Sequence, residues 1–150
     1  MQIAVIGQAE RSDLKELIAY EVGQHIARKG GILITGGMGG VMEACAKGAK
    51  SEGGQTVGIL PVYEKEKGNR FLDIIIPSGL GHARNALVVS SADVVIAIGG
   101  EYGTLSEISI ALKLEKNVIT LQSWDIPQLK TIKADNPKEA VKLAYQLAEE

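Results

Sequence analysis

The chain has 150 residues, 45 % hydrophobic and 23 % charged, the balance of one ordinary globular domain with enough apolar surface for a core. Sixteen basic against eighteen acidic residues leave a net charge of −2, which argues against a nucleic-acid scaffold but leaves small anions open, since backbone amides can hold these unaided. The single cysteine, Cys45, can form neither an internal disulfide nor a zinc cluster, and its apolar surroundings in "GVMEACAKGA" fit a buried small hydrophobe.

The N-terminus runs directly into strand-like "QIAVIG" without the basic n-region of a signal peptide. No apolar run approaches the ~20 residues of a membrane span. A cytoplasmic protein with no membrane partner is expected.

In chain order, short β-branched runs alternate with segments of helical period. "IAVIG" (3–7), "ILITGG" (32–37), "TVGIL" (56–60), "DIIIP" (73–77), "VVIAIGG" (94–100) and "NVITL" (117–121) read as strands. Most are apolar throughout, as strands covered on both faces of a parallel sheet are. Helices are expected at about 12–29, 40–52, 82–91, 104–116 and 137–149. Ser12 caps the first, with Leu14, Leu17, Ile18, Val22 and Ile26 on one stripe. Asn136, Pro137 and Glu139 mark the start of the last. The order implies an α/β fold: one doubly wound, Rossmann-like domain over 1–150, with a mostly parallel sheet of six or seven strands and helices on both faces. The polar stretch 61–71 reads as an exposed loop.

Two strands end alike. Gly36-Gly37-Met38-Gly39-Gly40 leads into a helix containing Glu43, and Gly99-Gly100-Glu101-Tyr102-Gly103 into one containing Thr104 and Glu107. Glycine admits positive φ and close approach of a ligand, and the helix behind presents unpaired amides suited to phosphate. Neither is the dinucleotide fingerprint, since "GQAERS" follows the first strand, and no GK[ST] marks a P-loop. The pair at the carboxyl ends of parallel strands reads as a phosphate site.

Glu107 has two readings from spacing alone. Thr104-x-x-Glu107 fits a capping box. On a helical wheel, Glu107 lies near Ala111 and Leu114, while Leu105, Ile108 and Leu112 form a second apolar stripe. A helix apolar on two sides is covered twice, by the sheet and by a second copy of the chain, so a homo-oligomer, dimer or tetramer, is expected.

"GGMGGVMEACAKGA", "GGQTVGILP" and "GHARNALVVSSADVVIAIGGEYGTLSEISIALKL" together resemble the Lonely Guy family, often labelled "possible lysine decarboxylase", over roughly residues 1–121. In the family's PGGxGTxxE signature, Gly99 stands here for the proline and Glu101 for the second glycine. Met42-Glu43 stands for Met-Gly, and Ala83-Arg84-Asn85 for an ERK-like segment. These departures mark a separate branch that also resembles the molybdenum cofactor carrier proteins.

The resemblance implies a small phosphorylated ligand and two rival functions. One is phosphoribohydrolase activity, cleaving the N-glycosidic bond of a nucleoside 5′-monophosphate to base and ribose 5-phosphate. Glu107 and Arg84 would then be catalytic, Glu107 stabilising the oxocarbenium-like transition state or activating water and Arg84 holding it ionised. Gly36, Gly37, Gly39, Gly40, Gly99, Gly100, Gly103 and Thr104 would bind phosphate and line the pocket, with Tyr102, His82 and Glu43 as further candidates. The other is a carrier or sensor of a phosphorylated cofactor such as molybdenum cofactor, in which Glu107 merely caps its helix. No cofactor, metal or nucleic acid is required by the hydrolase reading. Lysine decarboxylation is disfavoured, since no lysine stands out in a glycine-lined site to carry pyridoxal phosphate. Asp93 reads as a turn residue, His25 as surface, and Trp124 and Tyr102 as faces for a base.

Overall fold

The computed structural model describes residues 1–149. Among these, strands and helices follow in the order β1 (Gln2–Gly7), α1 (Asp13–Arg28), β2 (Ile32–Thr35), α2 (Val41–Ser51), β3 (Gln55–Leu60), β4 (Ile74–Pro77), α3 (Arg84–Ser90), β5 (Val94–Ile98), α4 (Tyr102–Lys113), β6 (Asn117–Leu121), β7 (Ile132–Lys133) and α5 (Pro137–Ala148). The strands form one 7-stranded sheet in the order β4-β3-β2-β1-β5-β6-β7, every neighbouring pair parallel. This is the doubly wound, Rossmann-like architecture that the alternating pattern predicts.

The uniformly apolar strands have a direct explanation. Side chains alternate across a strand, and both faces here are cores. Ile3 and Val5 of β1 and Ile96 and Ile98 of β5 pack with Val22 and Ile26 of α1, Cys45 of α2 and Val141 of α5. The intervening Ala4, Ile6, Val95 and Ala97 pack with Val88 of α3 and Ile108 of α4. Cys45 is buried, and desolvation pushes its thiol up to about 12, so it packs and does not react.

Several boundaries differ from the expected ones by two residues, for a common reason. Gly37, Gly99 and Gly100 have φ of 79°, 58° and 118°, outside the β region, so β2 stops at Thr35 and β5 at Ile98. Helix α4 starts at Tyr102 rather than 104, and α3 at Arg84 after a 3-10 turn over Gly81–Ala83. The helix-start signals hold: the Ser12 hydroxyl accepts from the Lys15 amide at 3.3 Å, and the Asn136 side-chain oxygen accepts from the Glu139 amide at 2.8 Å. Asp93 is a structural residue at the amino ends of the strands, its carboxylate accepting from the Gln2 amide at 2.8 Å. Among the described residues no helix is long and apolar enough to cross a membrane.

Helices α1 and α2 cross at contact distance because glycine occupies both sides of the crossing. A Cβ at Gly48 would overlap the Tyr20 carbonyl oxygen, and one at Gly23 the Cys45 carbonyl oxygen. Gly48→Ala would gain roughly 1 kcal/mol of helix propensity. The overlap is with backbone that cannot step aside, and overpacking costs about 1–3 kcal/mol or more. Urea unfolding followed by circular dichroism is expected to show a net loss of stability for Gly48→Ala; an unchanged or raised midpoint would refute the close crossing.

Candidate ligand-binding site

The sheet grows outward from its centre in two directions. From β1 it proceeds through β2 and β3 to β4, and from β5 through β6 to β7. Between the carboxyl ends of β1 and β5 the following loops therefore diverge, which is where open α/β sheets leave a crevice. A cavity of about 420 Å³ lies there, lined on one side by Gly7, Gln8, Ala9 and Glu10 after β1 and on the other by Glu101, Gly103, Thr104 and Glu107. His82, Arg84 and Asn85 at the start of α3, with Met42 and Pro61, complete the wall.

The α4 end of the cavity offers amides. Glu101 is the N-cap of α4 and its side chain makes no capping bond, so the amides of Tyr102, Gly103 and Thr104 have no acceptor among the described residues. Gly103 faces open space where a Cβ would stand, while Thr104 is buried.

The capping-box reading of Glu107 does not hold. With the cap at Glu101, Glu107 lies in the second turn of α4, too far along to reach the cap amide. It is instead only 6 % exposed, at the cavity wall, and hydrogen-bonded to no protein group among the described residues. Burial pushes its carboxyl up to about 8, against the smaller opposing effect of the Arg84 charge. Burial thus favours the neutral form of Glu107, and the Arg84 charge, which favours the ionised form, is the smaller of the two effects.

Arg84 explains why its effect is weak. The ion pairs among the described residues are Arg11–Glu16, Arg28–Glu52, Lys50–Asp73 and Lys133–Asp125, so Arg84 and Glu107 share the cavity without a salt bridge. The Arg84 guanidinium is tied to protein. Nε donates to the Ile59 carbonyl at 3.0 Å, one terminal nitrogen to the Asn85 side-chain oxygen at 2.7 Å and the other to the Gly36 carbonyl at 3.3 Å. Five N–H groups minus three leave one on each terminal nitrogen for a ligand.

The expected site residues do not all meet. Glu107, Arg84, Thr104, Gly103 and His82 meet in the cavity. Gly99 and Gly100 lie beyond the same turn, on a neighbouring cavity that shares Gln8 with the first. The first glycine turn lines neither. A Cβ at Gly36 would press on Met42 and Arg84, at Gly37 on Leu60, and at Gly40 on the Gln8 and Ala9 carbonyls, so this turn shapes the walls from behind; Gly39 is nearly free of neighbours. Glu43 lies on the other face of the sheet, in a groove with Arg11, Lys47, Arg70 and Phe71. Tyr102 is 81 % exposed and stacks on Trp124, ring centroids 6.2 Å apart. Sequence reasoning passed over the loop Gln8–Glu10 because it lacks the dinucleotide fingerprint; its position after the first strand was the available signal. Among the described residues no group of three or more His, Cys, Asp or Glu could hold a metal ion.

A parallel α/β sheet with a cavity at its switch point defines the class of protein. Within that class the chain belongs to the SLOG cluster4 family, whose model matches residues 1–149. It is 56 % identical over 122 residues to an uncharacterised protein of Archaeoglobus fulgidus, covering 81 % of this chain and 80 % of that one. It is 31 % identical over 93 residues to a probable cytokinin riboside 5′-monophosphate phosphoribohydrolase of Oryza sativa, covering 60 % of this chain but 41 % of the rice protein. Among solved structures, the molybdenum cofactor binding protein of Rippkaea orientalis superposes with a TM-score of 0.92 at 38 % identity, over 97 % of this chain and 96 % of that one. The molybdenum cofactor carrier protein of Chlamydomonas reinhardtii gives 0.87 at 33 % identity, over 99 % and 98 %.

The buried carboxyl makes a pH prediction. Its folded-state pKa of about 8 lies above the ordinary 4.5, so folding favours the protonated form. Its contribution to stability is whole below about pH 4.5, falls as the pH rises and is lost above about 8. Glu107→Gln keeps the shape and removes the titration. Thermal unfolding between pH 5 and 9 is expected to show the wild type losing stability relative to Glu107→Gln as pH rises; parallel curves would mean that Glu107 is not buried as described.

Proposed function

We propose that this protein binds and carries a small phosphorylated ligand, of the phosphorylated-pterin kind that molybdenum cofactor represents, in the cavity between β1 and β5. The observation that carries this reading is the juxtaposition of unpaired α4 amides with a buried, neutral, unbonded Glu107 in one cavity. Its volume of about 420 Å³ falls within the ~300–1,000 Å³ of small-molecule sites. The amides and the Thr104 hydroxyl suit a phosphate. A neutral carboxyl offers one donor and one acceptor side by side, which matches the paired acceptor and donor edge of a pterin or purine ring. Similarity over nearly the whole length to proteins described as molybdenum cofactor binding and carrier proteins supports the same reading.

One observation favours phosphoribohydrolase activity as the second reading: Glu107 sits at the cavity wall with a proton to give. A neutral Glu107 would protonate the departing base, and the carboxylate left behind would stabilise the oxocarbenium-like sugar until water adds its hydroxyl to the anomeric carbon and returns its proton to Glu107, giving ribose 5-phosphate. The partial resemblance to the rice protein supports this route.

On the α3–α4 side Leu87 and Leu114 remain 38 % and 46 % exposed. We take them as part of a contact between copies of the chain; a monomer by light scattering would remove that reading.

Base release from a panel of nucleoside 5′-monophosphates separates the two functions. A carrier is expected to bind without releasing base and to retain a phosphorylated ligand through purification, detectable by mass spectrometry, with Thr104→Val and Glu107→Ala each weakening retention about tenfold. Base release by the wild type, abolished in folded Glu107→Ala, would replace the carrier reading with the hydrolase.

A further inference from the structure

The cavity beyond the glycine turn is not absorbed by this reading. It has a volume of about 360 Å³ and is lined by Lys15, Gly99, Gly100, Gln122, Ser123, Trp124 and Asp125, with Gln8 common to both cavities. The turn Gly99–Glu101 forms the partition, exposing Gly99 and Gly100 on one side and Glu101 on the other. Gln8 is fixed in place, its side-chain oxygen accepting from the Gly100 amide at 3.2 Å.

Charge distinguishes the two. Glu10, Glu101 and Glu107 share the first cavity with Arg84. In the second, the Lys15 ammonium has no carboxylate partner among the described residues, and its hydrogen bond goes to the neutral Gln122 side chain at 2.7 Å. The acid of this cavity, Asp125, is already paired with Lys133 at 3.1 Å. The amides of Ser123, Trp124 and Asp125 donate to no protein acceptor among the described residues. They follow Gln122, a non-glycine residue at φ of 48°, a conformation that must be held by its surroundings. An ammonium without a carboxylate partner beside consecutive free amides suits an anion.

The departure at residue 99 fits this site. Gly99 has φ of 58°, which proline, locked near −65°, cannot adopt. A Cβ there would stand 2.9 Å from the Gln8 side-chain oxygen and 3.1 Å from Cδ of Lys15. Glycine in place of the signature proline is thus what lets Lys15 and Gln8 lie over the turn.

We propose that the second cavity is an anion subsite continuous with the first, and that the ligand carries two linked phosphates, one on the α4 amides and the other at Lys15. The ligand class is a diphosphate ester of a nucleoside or similar ring system, lying across the Gln8 side of the glycine turn. The proposal rests on the reading of the first cavity as a phosphate site, and the experiment separates them. AMP and ADP serve as probes, titrated calorimetrically against wild type, Lys15→Met and Lys15→Arg. Trp124, the only tryptophan of the chain, provides a fluorescence report from within the second cavity.

ADP is expected to bind at least tenfold more tightly than AMP and to change Trp124 emission. Lys15→Met should cancel the advantage while leaving AMP affinity unchanged, and Lys15→Arg should keep most of it. Equal affinities, or an advantage that survives Lys15→Met, would overturn the second subsite and leave the first-cavity reading standing. Lys15-dependent binding of ADP with no binding of AMP would support the second subsite and remove the first-cavity monophosphate site. Binding of neither probe would overturn both.

Discussion

The structure turns on the pairing of β1 with β5. Their register, Ile3 with Val94 through Gly7 with Ile98, places two central strands side by side while the helices that follow them leave on opposite faces. Helix α1 packs into the core with α2 and α5, and α4 into the core with α3. Two chains cannot leave one edge in opposite directions without a gap between them. That gap is the cavity, with Gly7 at its base. A Cβ at Gly7 would press on Val41 and the Ile98 carbonyl.

The gap determines the chemistry of Glu107. A carboxyl on the buried face of α4, one turn below the helix start, has left water behind but has not gained an ion-pair partner. Arg84 is close enough to pull its pKa down, yet its guanidinium is tied to the Ile59, Gly36 and Asn85 oxygens. Desolvation wins, and burial lowers the Arg84 pKa as well. A neutral acid and a cation with two free N–H groups form a different recognition surface from an ion pair. They can meet both a ring edge and an anion, and a ligand that brings its own negative charge relieves the burial of Arg84.

Much of this was legible in the amino-acid pattern. The unbroken apolar strands announced two cores, and the second GGxxG turn pointed to Thr104 and Glu107, which line the cavity. The spacing could not decide between cap and cavity for Glu107, because the same Thr-x-x-Glu serves both and the choice depends on where the helix starts. It starts at Tyr102, since the turn needs residues 99 and 100 at positive φ and has finished by Glu101. The first GGxxG turn was misleading for a related reason. Its glycines answer to close packing against Met42, Leu60 and the Gln8–Ala9 backbone, and glycine looks the same in sequence whether it admits a ligand or a neighbouring chain.

Local chemistry in the chain thus determined the element types, the two-sided burial of the sheet, the helix starts at Ser12 and Asn136 and the glycine turn at the end of β5. These depend on residues within a few positions of one another. Tertiary structure alone brought Lys15 from α1, Gln8 from the first loop and Trp124 from the segment after β6 to one turn of β5. Contacts spanning about a hundred residues, such as Lys15 with Gln122 and Gln8 with Gly100, leave no periodic trace in sequence. They arise only when the strand order places the ends of β1, β5 and β6 next to each other.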